Sequence, residues 1–165
     1  MLNSALSRTL ITVLAGVFAV LGLSVSTTSA HAAEAAVEAS PSLDAATYET
    51  RVLYWINRQR VNHGLPKVRH EACTDSVAES WGSFLARTLE FFHQDLGKLI
   101  DQCNAEYAGE TLAKGPVGPR QMVRLWMNSD GHRHILLSEK PRRIGIGAYV
   151  DQNGSWVVAA DFTRF

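Results

Sequence analysis

A chain of 165 residues with sixteen basic and sixteen acidic side chains carries no formal net charge. That balance excludes a globally basic nucleic-acid binder and leaves room only for a local basic patch, for which Arg133, Arg142 and Arg143 are candidates beside the plainer reading of a solvated rim. The length suits one domain with a true hydrophobic core once an N-terminal segment is set aside.

That segment reads as an address. Residues 1–8 carry one positive charge, residues 9–25 are almost wholly apolar, and small residues then end in Ala30-His31-Ala32. Basic start, apolar middle and A-x-A end make a secretory signal peptide over residues 1–32, cleaved after Ala32. The apolar run falls short of the ~20 residues a spanning helix needs, so no stable membrane span is expected in the mature chain. Residues 33–46 are rich in Ala, Glu and Ser, with Val37 and Leu43 as their larger apolar side chains. Such a stretch cannot offset the entropy of ordering and is expected to be a disordered linker before a domain over residues 47–165.

Residues 44–62 carry Tyr48, Val52, Leu53, Trp55 and Ile56 at helical spacing, and Gly64 and Pro66 then stop the helix. Thr74 or Asp75 can cap a second helix running to about Leu89, with Val77, Ala78, Trp81, Phe84, Leu85 and Leu89 on one face. Phe91-Phe92-His93 leaves it. Residues 94–102 read as a loop with a short helical turn, and residues 105–113 as a short strand or extended segment. Pro119 suits the first turn of a third helix, which has no use for the missing N–H and ends near Asn128. Met122, Val123, Trp126 and Met127 give that helix its buried face, and packing also explains Trp55 and Trp81.

The C-terminal part alternates. Ile144, Ile146, Ala148 and Val150 interleave with Gly145, Gly147 and Tyr149, and Trp156, Val158, Ala160 and Phe162 form a return strand. Asn153-Gly154 between them is a hairpin turn signal. Two glycines weaken a strand unless something must approach its backbone. Helices first and a hairpin last indicate an α+β domain.

Cys73 and Cys103 are the two cysteines. In an exported chain an even count suggests a disulfide, which would enclose about 30 residues and stabilise the fold by roughly 3–4 kcal/mol. Metal thiolates and free thiols are the alternatives, and no CxxC pair supports a thiolate zinc site.

Several stretches share one resemblance. Asn57-Arg58-Gln59-Arg60 with His63-Gly64-Leu65-Pro66 resembles the opening of bacterial CAP domains, the superfamily of cysteine-rich secretory proteins, antigen 5 and plant pathogenesis-related-one proteins. Phe92-His93 is similar to the histidine that closes their second helix. Ala108-Gly109-Glu110-Thr111-Leu112 resembles their G-E-N box. Trp126-Met127-Asn128-Ser129-Asp130-Gly131-His132-Arg133, with Ile135-Leu136, resembles their W-M-N-S-P-G-H-R signature. Ile144-Gly145-Ile146-Gly147 and the Trp156 strand resemble their closing hairpin. The resemblance implies a three-layer α-β-α sandwich with an antiparallel sheet and a cleft lined by His93, Glu110 and His132. The second acid of eukaryotic members falls near Asn128 or Ser129 and is missing. Asp130 stands where proline is usual and is a candidate to point into the cleft. Thr111 replaces asparagine and puts the fine cleft geometry in question.

His93, Glu110 and His132 are residue types that hold Zn²⁺ or another divalent cation with a position open for water. Without a metal they form an acid/base cluster. The three are too scattered in sequence to prove a site, and a histidine at a helix end often only caps carbonyls. His134 is expected to face elsewhere, and His63 and His70 to face solvent. Ser129 near His132 lacks a G-x-S-x-G elbow. Three roles remain: a secreted binding module for a partner protein, lipid or cell-envelope ligand; a metal-assisted extracellular hydrolase using His93, Glu110 and His132; or a structural envelope protein.

Overall fold

The computed structural model describes residues 43–165. The expected signal peptide and most of the expected linker lie outside the described residues. Helix α1 (Ala45–Asn62) opens where the side chain of Asp44 accepts from Thr47 N at 2.8 Å. The boundary read at residue 47 therefore falls inside its first turn, and Leu43 packs against the core. The other elements are β1 (Arg69–His70), α2 (Ala72–Thr88), α3 (Leu96–Cys103), β2 (Tyr107–Gly115), α4 (Pro119–Met127), α5 (Asp130–Leu136), β3 (Arg143–Val150) and β4 (Trp156–Arg164).

The strands run in the order β1-β3-β4-β2. The three long strands are antiparallel, whereas the two-residue β1 pairs parallel to β3, so the sheet is mixed. Alternation divides the sheet into two faces. Ile144, Ile146, Ala148, Val158, Ala160 and Phe162 meet Tyr48, Val52 and Ile56 of α1 and Met122, Val123 and Trp126 of α4 in the larger core. Leu112, Val157 and Ala159 point the other way and pack with Leu85 and Ala86 of α2. These layers form the α-β-α sandwich. Full burial of an apolar side chain such as Val52 or Ile56 contributes about 1.5–3 kcal/mol.

Gly145 and Gly147 let α2 lie directly on β3. A Cβ on Gly145 would stand 2.3 Å from Asp75 N, and one on Gly147 2.2 Å from Ala78 O. The close approach that would justify two strand glycines is thus the seating of a helix. The buried stripe of α2 is correspondingly small, with Thr74, Ala78, Gly82, Leu85 and Ala86, and Leu89 is exposed rather than on the packed face.

The cap expected at Thr74 or Asp75 is Glu71, whose carboxylate accepts from Cys73 N and Thr74 N. Thr74 is instead buried and pairs with Thr163 Oγ1 at 2.9 Å. Asp75 accepts from Ile146 N, and Glu49 from Ala148 N. These two acids satisfy the edge of β3 that the short β1 leaves uncovered. The hairpin turn is longer than two residues. Asp151 N donates to Ser155 O, Asp151 Oδ1 collects Asn153 N and Ser155 N, and Gly154 takes φ +76°.

The short helical turn expected within residues 94–102 extends to the two-turn helix α3, capped by Asp95 on Gly97 N. Another element was hidden in the sequence. The segment after α4 forms α5, which carries His132 and His134. Cys73 and Cys103 are joined as a disulfide, tying the first turn of α2 to the last of α3. No helix among the described residues is long and apolar enough to cross a membrane.

Candidate functional site

His93 reaches its position because α2 ends abruptly. Leu89 adopts a left-handed conformation (φ 61°) and closes the helix on Leu85 O. The chain then crosses to the outer strand β2, where Glu110 projects towards the α2 layer. His93 Nδ1 lies 2.6 Å from Glu110 Oε1. The histidine side chain is 58% exposed and the carboxylate only 1%, so a buried acid holds an imidazole at the surface.

Gln94 completes the arrangement. Its backbone N donates to Glu110 Oε1 at 3.2 Å, and its Nε2 donates to Glu110 Oε2 at 2.9 Å and to Asp161 Oδ2 at 2.8 Å. Asp161 is directly opposite Glu110 across β2 and β4. It is fully buried, and its Oδ1 has no partner. Burial pushes the carboxyl of Asp161 well above the usual aspartate range, the neighbouring Glu110 adds to this, and Gln94 opposes it. Burial also raises Glu110, against the lowering by Gln94 and His93.

His132, in the first turns of α5, lines the same groove of about 570 Å³ as His93 and Glu110. Burial, then the charge of His93, holds its imidazole below the usual histidine range. Leu96, Tyr107, Ile135 and Ser129 also line this groove. The geometry therefore brings His93, Glu110 and His132 to one concavity, but bonds only the first two.

Other candidates lie elsewhere. The side chain of Asp130 is 99% exposed and stands 3.8 Å from Arg133, outside the groove lining. Thr111 is buried on the opposite face from Glu110, so replacing asparagine leaves the Glu110 side of the sheet untouched. His134 does line the groove, contrary to the helical-turn argument that turned it away. His63 is exposed beside Gln59 O, and His70 pairs with Asp75 at 2.9 Å. Gln94 and Asp161 escaped sequence reasoning. Strand alternation from Phe162 would have put Asp161 on the α2 face, but nothing local announces the carboxylate opposite it.

A divalent ion does not fit these residues as placed. Among the described residues no three His, Cys, Asp or Glu side chains converge closely enough to hold one. Both oxygens of Glu110 are already engaged by His93 and Gln94.

The Asn57 and Arg60 of the opening motif are structural. Asn57 exchanges two hydrogen bonds with the backbone of Val68. Arg60, fully buried, donates to Pro66 O, Leu136 O and Ser138 O.

Layered helices around this sheet, with an imidazole–carboxylate groove at its outer strand, define a CAP-type domain. The family model for the cysteine-rich secretory protein family, CAP, matches residues 53–162, and the chain belongs to that family. It is 30% identical over 116 residues to the uncharacterised protein YkwD of Bacillus subtilis, covering 66% of this chain and 45% of YkwD. It is 32% identical over 117 residues to the uncharacterised membrane protein YlbC of the same organism, covering 65% of this chain and 34% of YlbC. The chain thus spans less than half the length of these relatives. Among solved structures, an outer surface protein of Borrelia burgdorferi superposes with TM-score 0.68 at 17% identity, covering 74% of this chain and 96% of that one. An extracellular SCP-domain protein of Bacillus anthracis superposes with TM-score 0.63 at 22% identity, covering 76% and 45%. At these identities the two share the fold.

Proposed function

We propose that the protein is an exported binding module that captures a cell-envelope ligand in the groove lined by His93, Glu110 and His132. Export is supported by the basic–apolar–A-x-A order of residues 1–32 and by the surface and extracellular descriptions of the Borrelia and Bacillus anthracis structures. One observation carries the choice of binding over hydrolysis. The carboxylate of Glu110 is taken up by His93 Nδ1, Gln94 N and Gln94 Nε2. It holds an exposed imidazole in one orientation and leaves that ring's Nε2 to a ligand, while Leu96, Tyr107 and Ile135 supply apolar wall. Few polar groups placed among apolar ones is the pattern of a recognition site.

The competing reading is a metal-assisted hydrolase using His93, Glu110 and His132. It requires an ion to draw Glu110 away from Gln94 and to bring His132 into its shell. Two measurements separate the readings. Imidazole NMR during a zinc titration should show neither His93 nor His132 shifting at sub-millimolar metal. Binding of the fluorescently labelled protein to isolated cell envelope should weaken about tenfold in the H93Q/H132Q variant, as expected for two lost hydrogen bonds. Unchanged envelope binding, or sub-millimolar zinc uptake accompanied by turnover that a chelator abolishes, refutes the binding-module reading.

A further inference from the structure

A second groove lies between α1 and α4 and shares no lining residue with the first. Two adjoining hollows of about 390 and 280 Å³ have Trp55, Arg120 and Arg124 in common, with Arg51 lining one and Arg58 the other. No acidic residue lines either hollow. The guanidinium carbon of Arg120 is 5.0 Å from the Trp55 ring centroid, and that of Arg58 is 5.8 Å away. Cation–π contact steadies a guanidinium without consuming its N–H donors.

Those donors remain almost entirely free. Among the described residues none of the four arginines forms an ion pair. Arg58 alone donates from its side chain, to Tyr54 Oη at 3.4 Å. Asp44, whose carboxyl Thr47 and to a lesser extent Arg51 hold below the usual aspartate range, is engaged by Thr47 N and Oγ1. Four unpaired guanidiniums in a chain of zero formal net charge make a concentrated positive field.

The arrangement is a line, not a point. Arg51 and Arg58 are separated by about 10 Å along α1, and Arg120 and Arg124 by about 6 Å along α4, at the helical rise of ~1.5 Å per residue. A single small anion would meet one or two of them, whereas an extended chain of anionic groups can meet all four. Every charge comes from arginine, whose planar fork matches phosphate oxygens. A nucleic acid would also want an aromatic face for its bases. Trp55 is already covered by guanidiniums and met edge-on by Tyr54 at 5.1 Å.

We infer that the α1–α4 groove binds a phosphodiester-linked polyanion without stacking bases, of which a poly(glycerol phosphate) chain is the simplest probe. Calorimetric titration of the protein with poly(glycerol phosphate) should show binding whose log K falls with log salt at a slope of about −3, the value for four phosphate contacts on a flexible strand. The R120E/R124E variant, changed at two exposed positions, should bind about tenfold or more weakly, whereas the charge-matched R87E/K98E variant on α2 and α3 should stay within about twofold. Absence of binding, or equal loss in both variants, overturns the inference. So does equal or tighter binding of inorganic phosphate, polyglutamate or single-stranded DNA. Binding to phosphatidylglycerol vesicles with none to the polymer overturns it in favour of a lipid surface.

Discussion

Arg60 at the end of α1 and the Glu110–Asp161 pair across β2 and β4 are two places where this domain buries charge. The Arg60 guanidinium reaches three backbone carbonyls at 2.7–2.9 Å and joins α1, the loop before β1 and the end of α5. It gathers acceptors that would otherwise be stranded, so its charge is spread over a structural joint. The acid pair has the opposite problem. Two carboxylates share one Gln94 amide, and Asp161 Oδ1 has no partner at all. A buried charge bonded to three carbonyls ties separate segments together even though Arg60 Nη2 has no partner, whereas two acids that share a single donor are costly to keep ionised. The groove lies over the second kind.

The contrast is tested most severely at Arg60. Arg60→Met keeps much of the volume and strands three carbonyls, each costing about 1 kcal/mol or more. Urea unfolding should show a loss of about 3 kcal/mol or more, and a loss below about 1 kcal/mol would mean that water replaces the guanidinium and the joint is not structural. Comparable in size is the tether on the groove side. The Cys73–Cys103 disulfide spans 30 residues and encloses the segment that bears His93 and Gln94. Cys73→Ser with Cys103→Ser should cost roughly 3–4 kcal/mol. It should also broaden the His93 imidazole resonance while leaving the Arg60 joint protected in hydrogen exchange. Uniform loss of protection would show that the two regions unfold as one.

Much of this was legible before any coordinates. The stripe of Tyr48, Val52 and Ile56 gave α1, the alternation around Gly145 and Gly147 gave the hairpin, and the cysteine pair was readable from the even count in a chain expected to be exported. Family boxes pointed to His93, Glu110 and His132, which do line one groove. What stayed hidden depends on partners distant in sequence. Asp161 reads as a polar interruption of a strand until Glu110 is placed opposite it. Gln94 reads as a loop residue until its amide is seen between the two acids. The basic patch sought at Arg133, Arg142 and Arg143 is spent on local carbonyls in two of the three, since Arg133 donates to Met127 O and Arg142 to Glu139 O and Pro141 O. The open arginines come from α1 and α4, which only the tertiary fold brings together. Helix α5 is too short for periodicity to reveal.

Smaller effects sharpen the contrast through pH. The folded-state pKa of Asp161 is raised above its unfolded value, so the stability linked to its proton is fully present below the unfolded pKa, near 3.8, and is lost as pH rises through the folded one. Asp161→Asn removes the ionisation and keeps an oxygen for Gln94. The variant should match the parent near about pH 4 and become progressively more stable than it as pH rises towards about 8, measured by urea midpoints. Parent and variant with parallel pH profiles would mean that Asp161 stays charged in the fold and is fed by a donor such as water.

Glu49 lies between the two extremes and should give the smallest signal. It is half-buried, and its one bond is from Ala148 N at 2.9 Å. Burial pushes its carboxyl up to about 7, with the charges of Glu79, Asp75 and Asp44 adding to the rise and the Ala148 bond opposing it. The sign follows from linkage: the folded protein holds this proton more tightly, so its contribution is complete below 4.5 and fades as pH passes about 7. Glu49→Gln keeps an oxygen for Ala148 N and cannot ionise. Its unfolding midpoint should therefore fall less steeply than the parent's between those two values, the remaining slope being the one linked to Asp161. If the slope between 4.5 and 7 is as steep in the variant as in the parent, the proton belongs to the Glu110–Asp161 pair, and the groove alone carries the domain's response to pH.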